Sequence, residues 1–172
     1  MKIGLFYGSS TCYTEIVAEK IQASIGEELV DIYNIKEAGL SKVNDYDILI
    51  FGISTWDFGE LQEDWGKLWD EVSELTVTNK IVAIFGLGDQ DGYGEWFVDA
   101  IGMLHDEIQA QSPNFIGQWP IEGYQFTDSK ALTADKKHFL GLAIDEDTQY
   151  ELSDERIDQW CLQVLEEIEA QL

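Results

Sequence analysis

The sequence predicts an α/β fold, an open, doubly wound, five-stranded parallel sheet with helices on both faces and an insertion splitting strand 5. Three observations predict it. Short apolar runs, suited to buried strands, alternate with segments whose apolar residues recur at helical spacing. The first strand turns directly into a Ser/Thr-rich segment that opens a helix. The expected last strand appears twice, with residues 118–138 between its halves. A chain of 172 residues suits one domain, 1–172, able to bury about 70% of its unfolded surface.

Taken in order, Ile3-Gly4-Leu5-Phe6-Tyr7 is the first strand. Gly8-Ser9-Ser10-Thr11-Cys12-Tyr13-Thr14-Glu15 follows, and its helix continues through Ile16, Val17, Lys20 and Ile21. The first N–H groups of a helix lack partners and its dipole favours negative charge, so the stretch offers a phosphate-sized anion site. A plain loop whose Ser and Thr residues cap the helix explains this stretch equally well. Leu29-Val30-Asp31-Ile32-Tyr33 is the second strand, and Leu40 to Tyr46 holds a short helix. Asp47-Ile48-Leu49-Ile50-Phe51-Gly52 is continuously apolar after Asp47, as a strand covered on both faces should be. Leu61, Trp65, Leu68, Trp69 and Val72 mark a helix.

Lys80-Ile81-Val82-Ala83-Ile84-Phe85-Gly86 is the fourth strand, and Phe97, Ala100, Ile101, Leu104 and Ile108 mark the next helix. Asn114-Phe115-Ile116-Gly117 and Phe139-Leu140-Gly141-Leu142-Ala143-Ile144 are the two halves of the fifth strand. Long structureless loops are uncommon in compact domains, so the residues between them read as an insertion. Ser153 is the expected N-cap of the last helix, with Asp154 and Glu155 in its first turn. Its apolar face is Ile157, Trp160, Cys161, Val164, Leu165 and Ile168.

Composition narrows the partners. Ten Lys and Arg against 34 Asp and Glu give a formal charge of -24. Such a surface repels nucleic acid and anionic membrane and attracts basic protein patches. No Lys or Arg occurs between Lys2 and Lys20, between Lys42 and Lys67, or between Lys80 and Lys130. No apolar run approaches the roughly 18 residues a spanning helix needs. Nor does the N-terminus read as a secretion signal. Cys12 and Cys161 offer no disulfide framework and point to a reducing, cytoplasmic setting. His105 and His138 belong to no metal-ligand spacing, so no metal is expected.

Ligands of open parallel sheets bind at the carboxyl ends of the strands. Three loops reach that edge: the Ser/Thr-rich stretch, Ser54-Thr55-Trp56-Asp57-Phe58-Gly59-Glu60, and Leu87-Gly88-Asp89-Gln90-Asp91-Gly92-Tyr93-Gly94. Large aromatics in polar, Gly-rich loops seldom serve the core, and the rings of Trp56 and Tyr93 suit stacking on a flat heteroaromatic ligand. Phosphate at one end and an aromatic slot at the other describe a nucleotide-like cofactor.

These residues carry a resemblance. Ser9-Ser10-Thr11-Cys12-Tyr13-Thr14 resembles the flavodoxin phosphate motif, Ser/Thr-x-Thr-Gly-x-Thr, and Thr55-Trp56, Gly88-Asp89-Gln90 and Tyr93 match that family's two other cofactor loops. The split fifth strand and Gly141-Leu142-Ala143-Ile144-Asp145-Glu146-Asp147 look like long-chain flavodoxins. The Ser-Ser-Thr-Cys-Tyr-Thr loop is similar to that of the second bacterial type (flavodoxin B). The resemblance implies the strand order 2-1-3-4-5 and non-covalently bound FMN. It implies a low-potential one-electron carrier, not an enzyme.

By the same resemblance Ser9, Ser10, Thr11, Cys12, Tyr13 and Thr14 hold the phosphate. The remaining FMN-binding residues are Ser54, Thr55, Trp56, Asp57, Phe58, Gly59, Leu87, Gly88, Asp89, Gln90 and Tyr93. In flavodoxins the matching peptide turns its carbonyl toward the flavin N5–H on one-electron reduction, implying that Asp57 supplies it here. Such a turn often needs positive φ, which Asp accepts moderately. The implied partners of this monomer are basic-surfaced redox proteins, such as an NADPH-dependent flavodoxin reductase and acceptor enzymes. Asp57, Glu60, Glu63, Asp64, Asp89, Asp91 and Glu95 would steer them. One position departs from the motif: Cys12 replaces Gly, and its Cβ predicts an ordinary backbone angle there.

Three rivals are weaker. A low-molecular-weight phosphatase with Cys12 as nucleophile would need Cys-x5-Arg, and position 18 is Ala18. An FMN-dependent quinone or nitro reductase would need an open cavity above the flavin, where Trp56 and Tyr93 are expected to cover both faces. A signalling receiver domain would need an acidic cluster at a strand end with a nearby Lys, and these loops lack Lys.

Overall fold

The computed structural model describes residues 1–172. Strand β1 (Ile3–Tyr7) leads to helix α1 (Tyr13–Ile25), then to β2 (Val30–Asn34) and the single turn α2 (Ile35–Ala38). A 3₁₀ turn at Ser41–Asp45 precedes β3 (Ile48–Gly52). The hairpin β4 (Thr55–Trp56) and β5 (Glu60–Leu61) follows, then α3 (Glu63–Lys67) and α4 (Trp69–Val72). After β6 (Ile81–Leu87) come a 3₁₀ turn at Gly94–Trp96 and α5 (Asp99–Gln109). The chain closes with β7 (Asn114–Phe115), β8 (Trp119–Pro120), β9 (His138–Phe139), β10 (Leu142–Ile144) and α6 (Tyr150–Glu169).

All pairings in the main sheet are parallel, in the order β2-β1-β3-β6-β10. β7 shares the fifth position: Asn114 pairs with Ile81 and Leu142 with Phe85 along the same β6. The predicted order and the split last strand are both present. β3 and β6 are buried throughout because each face of the sheet is covered. On one face Val17, Ile21, Trp160 and Val164 pack on Ile3, Leu5 and Ile50. On the other, Trp65, Val72, Ile101 and Leu104 pack on Leu49, Phe51 and Ile84.

The insertion, 118–138, is folded. β8 and β9 pair antiparallel, and Tyr124 and Phe126 lie with Phe139 around the buried ring of Phe97, at centroid distances of 5.6 to 5.8 Å. The Tyr124 hydroxyl donates to Ala143 O at 2.6 Å. Arg156, the sequence's single arginine, lies 4.0 Å from the centre of the Tyr124 ring and donates to Gln149 Oε1 and Gly123 O. The insertion is thereby pinned to the sheet edge and to α6.

Three local expectations need correction. The apolar spacing from Leu61 to Val72 does not form one helix; Leu61 lies in β5, and the helical part breaks at Leu68. The buried Gln62 side chain starts α3 by accepting from the N–H groups of Asp64 and Trp65, and the Leu68 N–H is shared by Asp64 O and Trp65 O. Both short helices still turn Trp65 and Val72 inward, so the periodicity is kept without continuity. The helix predicted from Phe97 begins at Asp99, because Val98 just before it is left-handed at φ 48°.

Ser153 is not the N-cap of α6. The cap position is Gln149, and Ser153 is buried within the helix. The Asp145 carboxylate organises the turn ahead, accepting from the Asp147 and Thr148 N–H groups and from the Thr148 hydroxyl. That lets the helix start earlier than its first strong capping residue suggests.

Candidate functional site

The Ser/Thr-rich loop leaves β1 with the Gly8 N–H bonded to Gly52 O at 3.2 Å. A side chain at Gly8 would collide with Gln62. Gln62, wholly buried, donates from Nε2 to Ser10 Oγ at 3.1 Å. Ser10 therefore accepts from beneath and keeps its own proton to donate outward. The Ser9 hydroxyl oxygen is buried without a partner.

α1 has no side-chain cap, and its first backbone bond runs from the Ile16 N–H to Cys12 O at 3.0 Å. The N–H groups of Tyr13, Thr14 and Glu15 are left free, with the positive end of the helix dipole behind them. The ordinary angle expected of Cys12 is not found: the residue is left-handed, with φ 69° and ψ -8°. A left-handed residue entering a right-handed helix turns successive N–H groups into one concavity, which explains why the loop keeps this geometry despite a Cβ. The strain amounts to about 1–2 kcal/mol for a non-glycine residue. The thiol is exposed and free.

The second loop is the β4–β5 hairpin. Trp56 Nε1 donates to Ser54 Oγ at 3.0 Å, and the turn carries positive φ at Asp57 (45°) and Gly59 (84°). In the third, the Gly88 N–H bonds to Ile144 O, and Asp89 Oδ1 accepts from the N–H groups of Asp91 and Gly92. This Asx turn fixes the backbone that presents Tyr93.

The three loops enclose a cleft of about 310 Å³. Thr11, Tyr13 and Thr14 line it from the first loop; Ser54, Thr55, Trp56 and Asp57 from the second; Leu87, Gly88, Asp89 and Tyr93 from the third. Ser9, Ser10 and Cys12 belong to the same loop as Thr11 without lining this cleft. Phe58 stands outside, 67% exposed, packed edge-on against Trp96 and Tyr93 at 5.1 and 6.0 Å. Gly59 is buried under the turn. Gln90 is also buried, with its amide turned to Asp145 and Thr148 and its carbonyl to the Gln125 N–H. It braces the third loop from behind.

Three lining residues were missed by sequence reasoning: Trp96, Glu146 and Asp147. Trp96 follows Tyr93 by one 3₁₀ turn, and Glu146-Asp147 follows the last strand at the same sheet edge; both positions were signals. No Lys or Arg lines the cleft. Burial first, and then Asp154 and Asp145, raise the Glu146 pKa above the usual carboxylate range. Burial, Asp89 and Asp145 do the same for Asp147. Of the carboxylates expected on the steering face, Asp64 is instead buried and accepts from Gln62 Nε2 at 2.9 Å, while Glu63 pairs with Lys67 at 3.0 Å.

The arrangement can hold an anion with hydroxyls and amides alone, beside a slot walled by large rings. The sequence profile described as Flavodoxin matches residues 5–160. Over 168 residues, covering 98% of this chain and 97% of the relative, the sequence is 57% identical to Flavodoxin 2 of Escherichia coli K12. It is 46% identical to the flavodoxin of Haemophilus influenzae, over 96% of this chain and 95% of that protein. Among solved structures, Fusobacterium nucleatum flavodoxin bound to flavin mononucleotide superposes with a TM-score of 0.90 at 27% identity, covering 96% of this chain and 98% of that one.

Proposed function

The chain belongs to the flavodoxin family, and on that premise we propose that the cleft is the FMN site of a one-electron carrier. The protein is an electron-transfer flavoprotein and not a catalytic enzyme. The observation that carries the phosphate end of the site, in the loop adjoining the cleft, is the Ser9 hydroxyl, buried and unpartnered beside a helix whose first N–H groups are free. A phosphate would satisfy both. Trp56 and Tyr93, with Trp96 beside them, line the same cleft and suit a flat ring system.

When bound, FMN supplies reversible one-electron chemistry. The chain's own residues do the rest. Ser9, Ser10, Thr11, Thr14 and the N–H groups from Cys12 onward would hold the phosphate, with Gln62 keeping Ser10 in its donating orientation. Trp56, fixed by Ser54, and Tyr93, fixed by the Asp89 turn, would orient the ring. Asp57 already has the positive φ that the resemblance implied, so its peptide starts from a left-handed turn. With Asp57, Asp89, Glu146 and Asp147 lining the cleft and no cation among them, added negative charge is opposed, which lowers the reduction potential.

The partners that fit are basic-surfaced redox proteins, a pyridine-nucleotide-dependent reductase and acceptor enzymes, engaged by a cytoplasmic monomer. The charge of -24 and two free cysteines support that reading. No helix is long and apolar enough to cross a membrane.

The visible spectrum tests the function. The purified protein should be yellow, bind one FMN per chain and turn blue on partial reduction. A colourless protein that ignores added FMN would refute it.

A further inference from the structure

The turn Asp57–Gly59 stands on two consecutive residues of α5. On the near side, Thr55 Oγ1 accepts from the Ala100 N–H at 2.9 Å and so caps the helix. On the far side, the buried Asp99 side chain lies against Gly59: a Cβ built there would sit 2.9 Å from Asp99 Oδ2 and 3.1 Å from Trp96 Cδ1. The other oxygen, Oδ1, accepts from the Lys130 N–H of the insertion at 2.7 Å.

The insertion reaches this point rigidly. Ser129 Oγ donates to Phe97 O, and the Thr127 and Asp128 N–H groups bond to Gly94 O at 2.8 and 3.0 Å. A side chain at Gly102 of α5 would run into Lys130 O, so helix and insertion meet backbone to backbone. Val98, left-handed at φ 48° and fully buried, shows that the segment entering α5 is held by its surroundings against its local preference.

We propose that Asp99 is a positioning residue through which the insertion holds the Asp57–Gly59 turn. One carboxylate oxygen is fastened to the insertion and the other sets the space left to Gly59, so the insertion limits how far the turn can rearrange. Burying a carboxylate here is unfavourable on desolvation grounds, and a merely structural helix cap would be served by an exposed oxygen. The bearing of this turn on electron uptake rests on the FMN reading above; its mechanical tie to the insertion does not.

Amide hydrogen exchange on the full-length protein tests it, with and without added FMN. In Asp99→Ala the amides that tie down the hairpin carrying the turn, Gln62 (bonded to Ser54 O) and Ala100 (bonded to Thr55 Oγ1), should exchange about tenfold faster or more, while the β1 amides stay unchanged. Asp99→Asn keeps an acceptor for the Lys130 N–H and the same shape, and should return exchange to within about threefold of the parent. Should the alanine variant not fold, Asp99→Ser, which keeps a capping oxygen but is too short to span both neighbours, is read in its place. In the FMN-loaded protein the alanine or serine variant should also shift the one-electron midpoint potential.

Unchanged turn exchange in the truncated variant would overturn the proposal, as would an asparagine variant as loose as the alanine one. A protein that bound no FMN would refute the functional reading and leave the exchange pattern to decide this one.

Discussion

Gln62 Nε2 lies 3.1 Å from Ser10 Oγ, linking positions 52 residues apart beneath the loop that opens α1. The same side chain caps α3 through Oε1. One amide thus sets both the donor direction of the anion loop and the start of the helix behind the second loop.

Replacing it with alanine removes four hydrogen bonds, to Ser10 Oγ, Asp64 Oδ2 and the Asp64 and Trp65 N–H groups, and leaves a void under Gly8. Gln62→Ala should lose about 1–3 kcal/mol of stability, as expected for stranding buried polar groups. FMN affinity should fall about tenfold, followed by flavin fluorescence quenching, if one phosphate hydrogen bond worth about 1.4 kcal/mol is misaligned. Unchanged affinity would detach Ser10 from the site.

At Cys12 the left-handed angle favours glycine. Cys12→Gly should be neutral to stabilising by up to about 1 kcal/mol, the relieved strain being partly offset by the entropy of the unfolded chain. Cys12→Val should lose more than 1 kcal/mol, since a β-branched residue resists that region. Urea midpoints measure both. Cys12→Ser should retain FMN binding, because the thiol has no catalytic duty.

Glu146 and Asp147 bring negative charge to a cleft without cations. Neutralising either, as Glu146→Gln or Asp147→Asn, should raise the midpoint potential for adding the second electron. The shift should be on the order of 40 mV, corresponding to about 1 kcal/mol of screened repulsion. Spectroelectrochemical titration reads it, and a downward shift would contradict the electrostatic account.

His105 stacks on Phe115 at 3.9 Å, with Nδ1 buried and 3.7 Å from Asp106 Oδ1, beyond hydrogen-bond reach. Burial holds its pKa below the usual value despite Asp106. The unfolded chain therefore takes up the proton first as pH falls. The stability this site contributes is complete above about pH 6.5 and is lost as pH drops toward the depressed folded value. His105→Phe should show a shallower decline in urea midpoint over that window than the parent.

Docking should depend on salt. Electron-transfer rates with a basic reductase should fall steeply as ionic strength rises from 10 mM-scale buffer to roughly 0.15 M, where the Debye length shrinks from about 30 to 8 Å. Charge reversal at exposed Asp57 or Glu60 should weaken that dependence. Changes at buried Asp64 should act through folding instead.

The sequence by itself determined the sheet. Apolar runs such as Ile48–Phe51 and Ile81–Phe85, too short for a buried helix and alternating with helical periods, read as strands covered on both faces, and the two partial strands around 118–138 declared the split fifth position. It also declared the three loops and their aromatic residues, because hydroxyls at a strand–helix junction and rings among glycines are local signals. Tertiary structure decided the rest. Ser153 looked like a cap by local chemistry, but the Asp145 carboxylate had already organised the turn before it. Tertiary structure also turned the Gln90 side-chain amide to Asp145, 55 residues away. Cys12 looked bound to an ordinary angle, yet the junction of β1 and α1 holds it left-handed. Each miss has one physical cause: a hydrogen bond or packing contact between distant residues outweighed a preference of one or two kcal/mol that the local sequence expressed.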